Sequence, residues 1–122
     1  MPTVDERPPI WVGHVVLRVA DPEQSAPWWE SLGLRPVYQG ADVSILELRG
    51  GTHLILAPGE PERGDAPFDL MVDDVDATHA RLTEQGLAPS EIQRGEIHDA
   101  FTLTDPDGYV VSFSNSHVVG PV

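Results

Sequence analysis

Val19-Ala-Asp21-Pro-Glu-Gln-Ser25, leading to Gly33-Leu34, returns 53 positions later as Val72-Asp-Asp74-Val-Asp-Ala-Thr78, leading to Gly86-Leu87, with the Val, Asp, hydroxyl, Gly and Leu in register. In each copy an Asp that can cap a helix follows a strand-like run, and a Gly that can close it follows about three turns later. The repeat predicts two copies of one supersecondary unit. It also pairs positions within the strands: His14 falls on Pro67, and Gly51 and Ile55 fall on Gly108 and Ser112 at a spacing of 57.

Working outward from the first copy, residues 10–19 alternate, with Val15, Leu17 and Val19 on one face and His14, Val16 and Arg18 on the other, as a two-faced strand requires. Asp21 offers an N-cap, Pro22 suits the first helical position, and Trp28, Trp29 and Leu32 form an apolar side. Pro27 would cost an interior hydrogen bond, so the helix is expected to be short or kinked, with Ser25 as an alternative cap. Runs at 35–39, 43–49 and 52–57 read as a strand and a hairpin, which makes the module β-α-β-β-β. The Pro- and Gly-rich stretch 58–65 reads as a connector.

In the second copy, residues 67–73 place Phe68, Leu70 and Val72 on one face and Asp69 and Met71 on the other. Asp74 caps a helix expected to reach Gln85, and strands are expected at 88–93, 100–104 and 109–114, with Asp105-Pro-Asp-Gly108 as a turn. The fold class is α+β: two tandem β-α-β-β-β modules form a curved mixed sheet around a trough, with helices on the outer faces. Residues 1–9 are expected to be a flexible arm. Residues 10–122 form one domain, with modules at 10–57 and 66–115.

Composition narrows the partners. The 122-residue chain has no Cys, which removes disulfides, thiolate nucleophiles and zinc–thiolate sites and suits a cytoplasmic setting. No basic segment leads into an apolar stretch at the start, and no apolar run approaches spanning length, so neither a leader nor a membrane partner is expected. Twenty acidic residues against seven arginines give a net charge of −13. That opposes nucleic acid and favours a cationic ligand.

Gly13-His14-Val-Val-Leu-Arg-Val19, Trp28-Trp29-Glu-Ser-Leu-Gly-Leu34, Val72-Asp-Asp-Val-Asp76 and Asp105-Pro-Asp-Gly-Tyr109, in that order and spacing, resemble the vicinal oxygen chelate superfamily over residues 11–115. That superfamily contains glyoxalase I, extradiol dioxygenases, fosfomycin-resistance enzymes and antibiotic-binding proteins of the bleomycin-resistance type. The resemblance implies that a metal, where used, is held by trough-facing positions of the first and last strand of each module. Here those positions are His14, Ile55, Pro67 and Ser112. Only His14 is a good ligand, since Ile55 and Pro67 have no side-chain donor and a neutral serine is weak. No metal and no cofactor are therefore expected, and the reading leans away from an enzyme.

A displaced site from His14, His53 and Asp69 is the alternative, since alternation points all three into the trough, with offsets of about 6–7 Å along their strands. Otherwise the trough is a ligand site, with Val16, Ile55, Ala57 and Met71 as apolar lining and His14, Arg18, His53, Asp69, Ser112 and Ser114 as polar handles. Trp11 is a candidate stacking ring, whereas Trp28 and Trp29 read as core. His98 and His117 are set aside as loop and tail residues, His79 as a surface residue, and Asp105 and Asp107 as groups that bond the turn backbone.

The function expected from the resemblance is metal-independent binding of an antibiotic or other natural product, giving resistance by sequestration. Its ligand would be a small hydrophobic or cationic organic molecule held by a homodimer. The alternative is a lyase, isomerase or dioxygenase using the displaced site or His/Asp acid–base catalysis.

Overall fold

The structure is a computed structural model that describes residues 4–116 and 120–122. His117 lies outside the described residues. In chain order the elements are β1 (His14–Val19), α1 (Pro22–Ser31), β2 (Arg35–Gln39), β3 (Ser44–Glu47), β4 (His53–Pro58), β5 (Gly64–Asp65), β6 (Leu70–Val72), α2 (Val75–Glu84), β7 (Ala100–Thr104) and β8 (Tyr109–Asn115).

Two sheets result, in the mixed α+β arrangement the repeat implies. The first runs β1-β4-β3-β2, with β1 and β4 parallel and the rest antiparallel. In the second, β8 is central, with β7 antiparallel on one side and the short parallel strands β5 and β6 following one another on the other. Among the described residues no ladder joins the sheets. Alternation sends one face of each into a common core: Leu17, Val19, Leu46, Leu54 and Leu56 from the first, and Leu70, Phe101, Leu103, Val111 and Phe113 from the second. Trp29 of α1 and Leu82 of α2 fill this core without exposure. Phe101 and Phe113, directly opposite across β7 and β8, stack with ring centroids 4.9 Å apart.

Helix α1 runs unbroken through Pro27, and the structure shows how. Asp21, not Ser25, is the cap, with its carboxylate accepting from the N–H groups of Glu23 and Gln24. Pro27 cannot donate to the Glu23 carbonyl four residues back. The Gln39 side-chain amide of β2 donates to that carbonyl instead, at 2.9 Å. Ser25 is buried and serves elsewhere: its hydroxyl donates to Asp107 Oδ2 at 2.6 Å.

That bond belongs to a clip between the modules. Asp107 Oδ1 accepts the Ala20 N–H at 3.0 Å, and the Tyr109 hydroxyl donates to the Arg18 carbonyl at 2.7 Å. Asp105 holds the turn itself, with Oδ1 accepting from the N–H groups of Asp107 and Tyr109. The turn aspartates thus bond backbone, as their type in this position suggested, and Asp107 does so across the module boundary. At the other end of α1, Arg81 and Gln85 of the second module donate to the Leu32 and Ser31 carbonyls.

Three expectations change. The stretch 88–93 is not a strand: only Gln93 bridges Ala100, and near it the Ser90 hydroxyl takes the Thr102 N–H that a ladder would have used. The strand expected at 67–73 is confined to Leu70–Val72, and two residues of the expected connector, Gly64–Asp65, pair with β8 instead. Two parallel fragments therefore share one side of β8. The strand expected from residue 10 begins only at His14. His79 sits half-outward on α2, within the expectation for it: its ring stands edge-on to Phe101 and its Nε2 lies 2.9 Å from the Ser90 carbonyl.

Candidate functional site

The face of the first sheet turned away from the core carries most of the candidate residues, and strand register arranges them in rows. Arg35 opposes Glu47, Glu47 opposes His53 and His53 opposes His14, so one polar row crosses all four strands. The next row, two residues along, is Tyr38, Ile45, Ile55 and Val16. A third pairs Ala57 with Arg18. Rows two residues apart lie about 6–7 Å from one another. The face therefore has a polar end, an apolar middle and an arginine.

Within the polar row, Glu47 is the hub. Its carboxylate pairs with Arg35 and lies 3.0 Å from His53 Nε2. Hydrogen bonds first from Arg35 and then from His53 hold its carboxyl below the usual carboxylate range. The His14 and His53 rings are neighbours, with centroids 5.8 Å apart and planes tilted by 60°. The sequence reading brought the two histidines together but missed Glu47 and Arg35. The available signal was the hairpin: with a turn at Arg49–Gly51, Glu47 and His53 are the pair that faces across it.

The remaining candidates divide. Val16 and Met71 are each 48% exposed, as open lining would be. Met71 sits opposite Ser114 in the second sheet, and Ser112 is half-buried opposite Thr102. Ser114 is buried rather than open. Asp69 is exposed and precedes β6 instead of lying within a strand. Among the described residues no three His, Asp or Glu side chains are placed to hold a metal ion, so the displaced set of His14, His53 and Asp69 does not assemble. Trp11 is 67% exposed on the stretch before β1, where it lines a shallow hollow of about 380 Å³ with Pro9, Ile10 and Gly13. Trp29 is core, and Trp28 packs edge-on against it. The His98 Nδ1 lies 3.0 Å from the Asn115 carbonyl.

Of the four positions that the resemblance marks for metal ligands, two lack any side-chain donor. Ile55 is half-buried and Pro67 exposed, and neither has a donor atom.

Residues 11–113 match the family model described as Glyoxalase/Bleomycin resistance protein/Dioxygenase superfamily, and the chain belongs to that superfamily. Among solved structures it is similar to lactoylglutathione lyase from Agrobacterium tumefaciens, with 18% identity and a TM-score of 0.73 over 90% of this chain and 96% of that one. It is also similar to TnmS3, an antibiotic binding protein from Streptomyces sp. CB03234, with 24% identity and a TM-score of 0.70 over 87% and 95%. The oxidase ChaP-H1 matches with 20% identity and a TM-score of 0.72 over 91% and 99%. A lyase, a binder and an oxidase on one architecture show the fold alone. No curated protein matches the sequence significantly.

Proposed function

We propose that this protein binds a small organic molecule, an antibiotic or other natural product, without a metal, and gives resistance by sequestering it in the cytoplasm. One observation carries the reading: of the four positions from which the superfamily draws metal ligands, only His14 has a good donor, beside Ile55, Pro67 and Ser112. The face around His14 suits retention of an organic ligand, with an apolar row between polar groups. TnmS3, one of the similar structures, is an antibiotic binding protein.

The functional unit is a homodimer. Val16 stands open on the face that carries His14, Trp11 before β1 and Met71 on the second sheet are open as well, and a second copy is the partner that would turn the His14 face into an enclosed pocket.

A thermal-shift panel of aromatic antibiotics and divalent metals tests the proposal. At a hundredfold excess over Kd, a ligand of the folded state adds about 2.7 kcal/mol of stability. In a domain of this size that raises Tm by roughly 10 °C. A shift with a drug and none with metals supports sequestration. Stoichiometric metal in the purified protein, with a shift on adding metal, would instead support the lyase, isomerase or dioxygenase alternative.

A further inference from the structure

The row Arg35–Glu47–His53–His14 lies on the open face of its sheet, and its position specifies what a ligand must offer there. Glu47 is paired with Arg35 and stands 3.0 Å from His53 Nε2. An ionised carboxylate can only accept, so the proton of this contact is on Nε2. A neutral His53 ring then has Nδ1 as its acceptor, and the carboxylate behind the ring strengthens that acceptor. Nδ1 has no hydrogen-bond partner among the described residues, and neither has either ring nitrogen of His14. Both imidazoles thus have unused hydrogen-bonding capacity at the edge of the Val16, Ile55 and Ile45 row.

We infer that the ligand carries a phenolic or enolic hydroxyl on an apolar planar body and donates it to His53, whose tautomer is fixed by Glu47 and Arg35. This rests on the reading that the face binds a small organic molecule. A hydroxyl is the matching group because it is a strong neutral donor. An ammonium is disfavoured despite the net charge of −13, since Arg18, which has no ion-pair partner among the described residues, stands on the same face. Glu47, the acid of the row, is already engaged by Arg35 and His53.

The test compares 2-naphthol with 2-methoxynaphthalene, which has the same ring system but no hydroxyl donor, by calorimetric titration of the full chain. The unmodified protein is expected to prefer the naphthol by roughly tenfold or more, the effect of one strong hydrogen bond. His53→Phe, which keeps an aromatic ring, is expected to bind the two probes alike, and Glu47→Gln to narrow the preference. Equal binding of the probes by the unmodified chain, or binding of neither, overturns this inference and leaves the binding reading to the thermal-shift panel. A preference that survives in a folded His53→Phe variant overturns the assignment to His53. The comparison in the unmodified chain depends on no variant folding.

Discussion

Replacing Asp107 with alanine should loosen the junction between the two modules more than any other single change in the β7–β8 turn. Its two carboxylate oxygens serve the first module separately, one accepting the Ala20 N–H at 3.0 Å and the other the Ser25 hydroxyl at 2.6 Å. Ala20 is exposed, so its N–H can turn to water and the loss there falls at the low end, about 0.5–1 kcal/mol. Ser25 is buried, and a hydroxyl left without an acceptor costs about 1–3 kcal/mol. Together the change should remove roughly 1.5–4 kcal/mol from a total of about 5–15 kcal/mol. Urea unfolding measures this as a lower midpoint at constant slope. The companion variant Ser25→Ala should cost less, and the double variant should be little worse than Asp107→Ala alone, with a coupling of at least about 1 kcal/mol. A loss under about 0.5 kcal/mol, or strict additivity, would refute the clip.

Two further predictions follow from local bonding. Gln39→Ala should destabilise by about 1 kcal/mol, because it strands the Glu23 carbonyl that Pro27 cannot serve. In a Pro27→Ala background the same change should be nearly silent, since the substituted alanine would supply the missing N–H; chemical denaturation of the four proteins reads the cycle. Burial raises the Asp105 carboxyl above its ordinary 3.8, the nearby Asp107 charge adds to this, and its Oδ2 has no hydrogen-bond partner among the described residues. A carboxyl whose folded pKa is raised supports folding while protonated and loses that contribution as pH climbs through the folded value. Asp105→Asn should therefore gain stability relative to the parent between pH 4 and pH 7. A constant difference across that range would contradict the assignment.

Much of the architecture could be read from the chain because its signals are local. The Asp caps at 21 and 74 and the closing Gly86 act within one turn of their helices, β7 falls where alternation puts it, and β1 takes up the later part of the run expected at 10–19. What escaped depends on groups distant in sequence. Pro27 looked like a helix breaker because Gln39, its compensation, lies on another element. The stretch 88–93 was expected as a strand to complete the second module, yet Pro89 has no N–H to give a ladder and the Ser90 hydroxyl takes the Thr102 N–H. In the candidate site, His14 and His53 were visible as trough residues by alternation alone. Glu47 and Arg35 were not, because their meeting with His53 needs the register of three strands at once. Asp69 was drawn in by extending β6 too far toward its start.

The central claim is that this member of the superfamily holds its ligand without a metal. The most direct measurement takes a compound that raises the melting temperature and compares its affinity by calorimetry before and after exhaustive treatment with a chelator, with metal content determined on both samples. The account predicts well under one bound ion per chain and the same Kd in both. About one ion per chain, with binding lost on stripping and restored by a divalent metal, would contradict it.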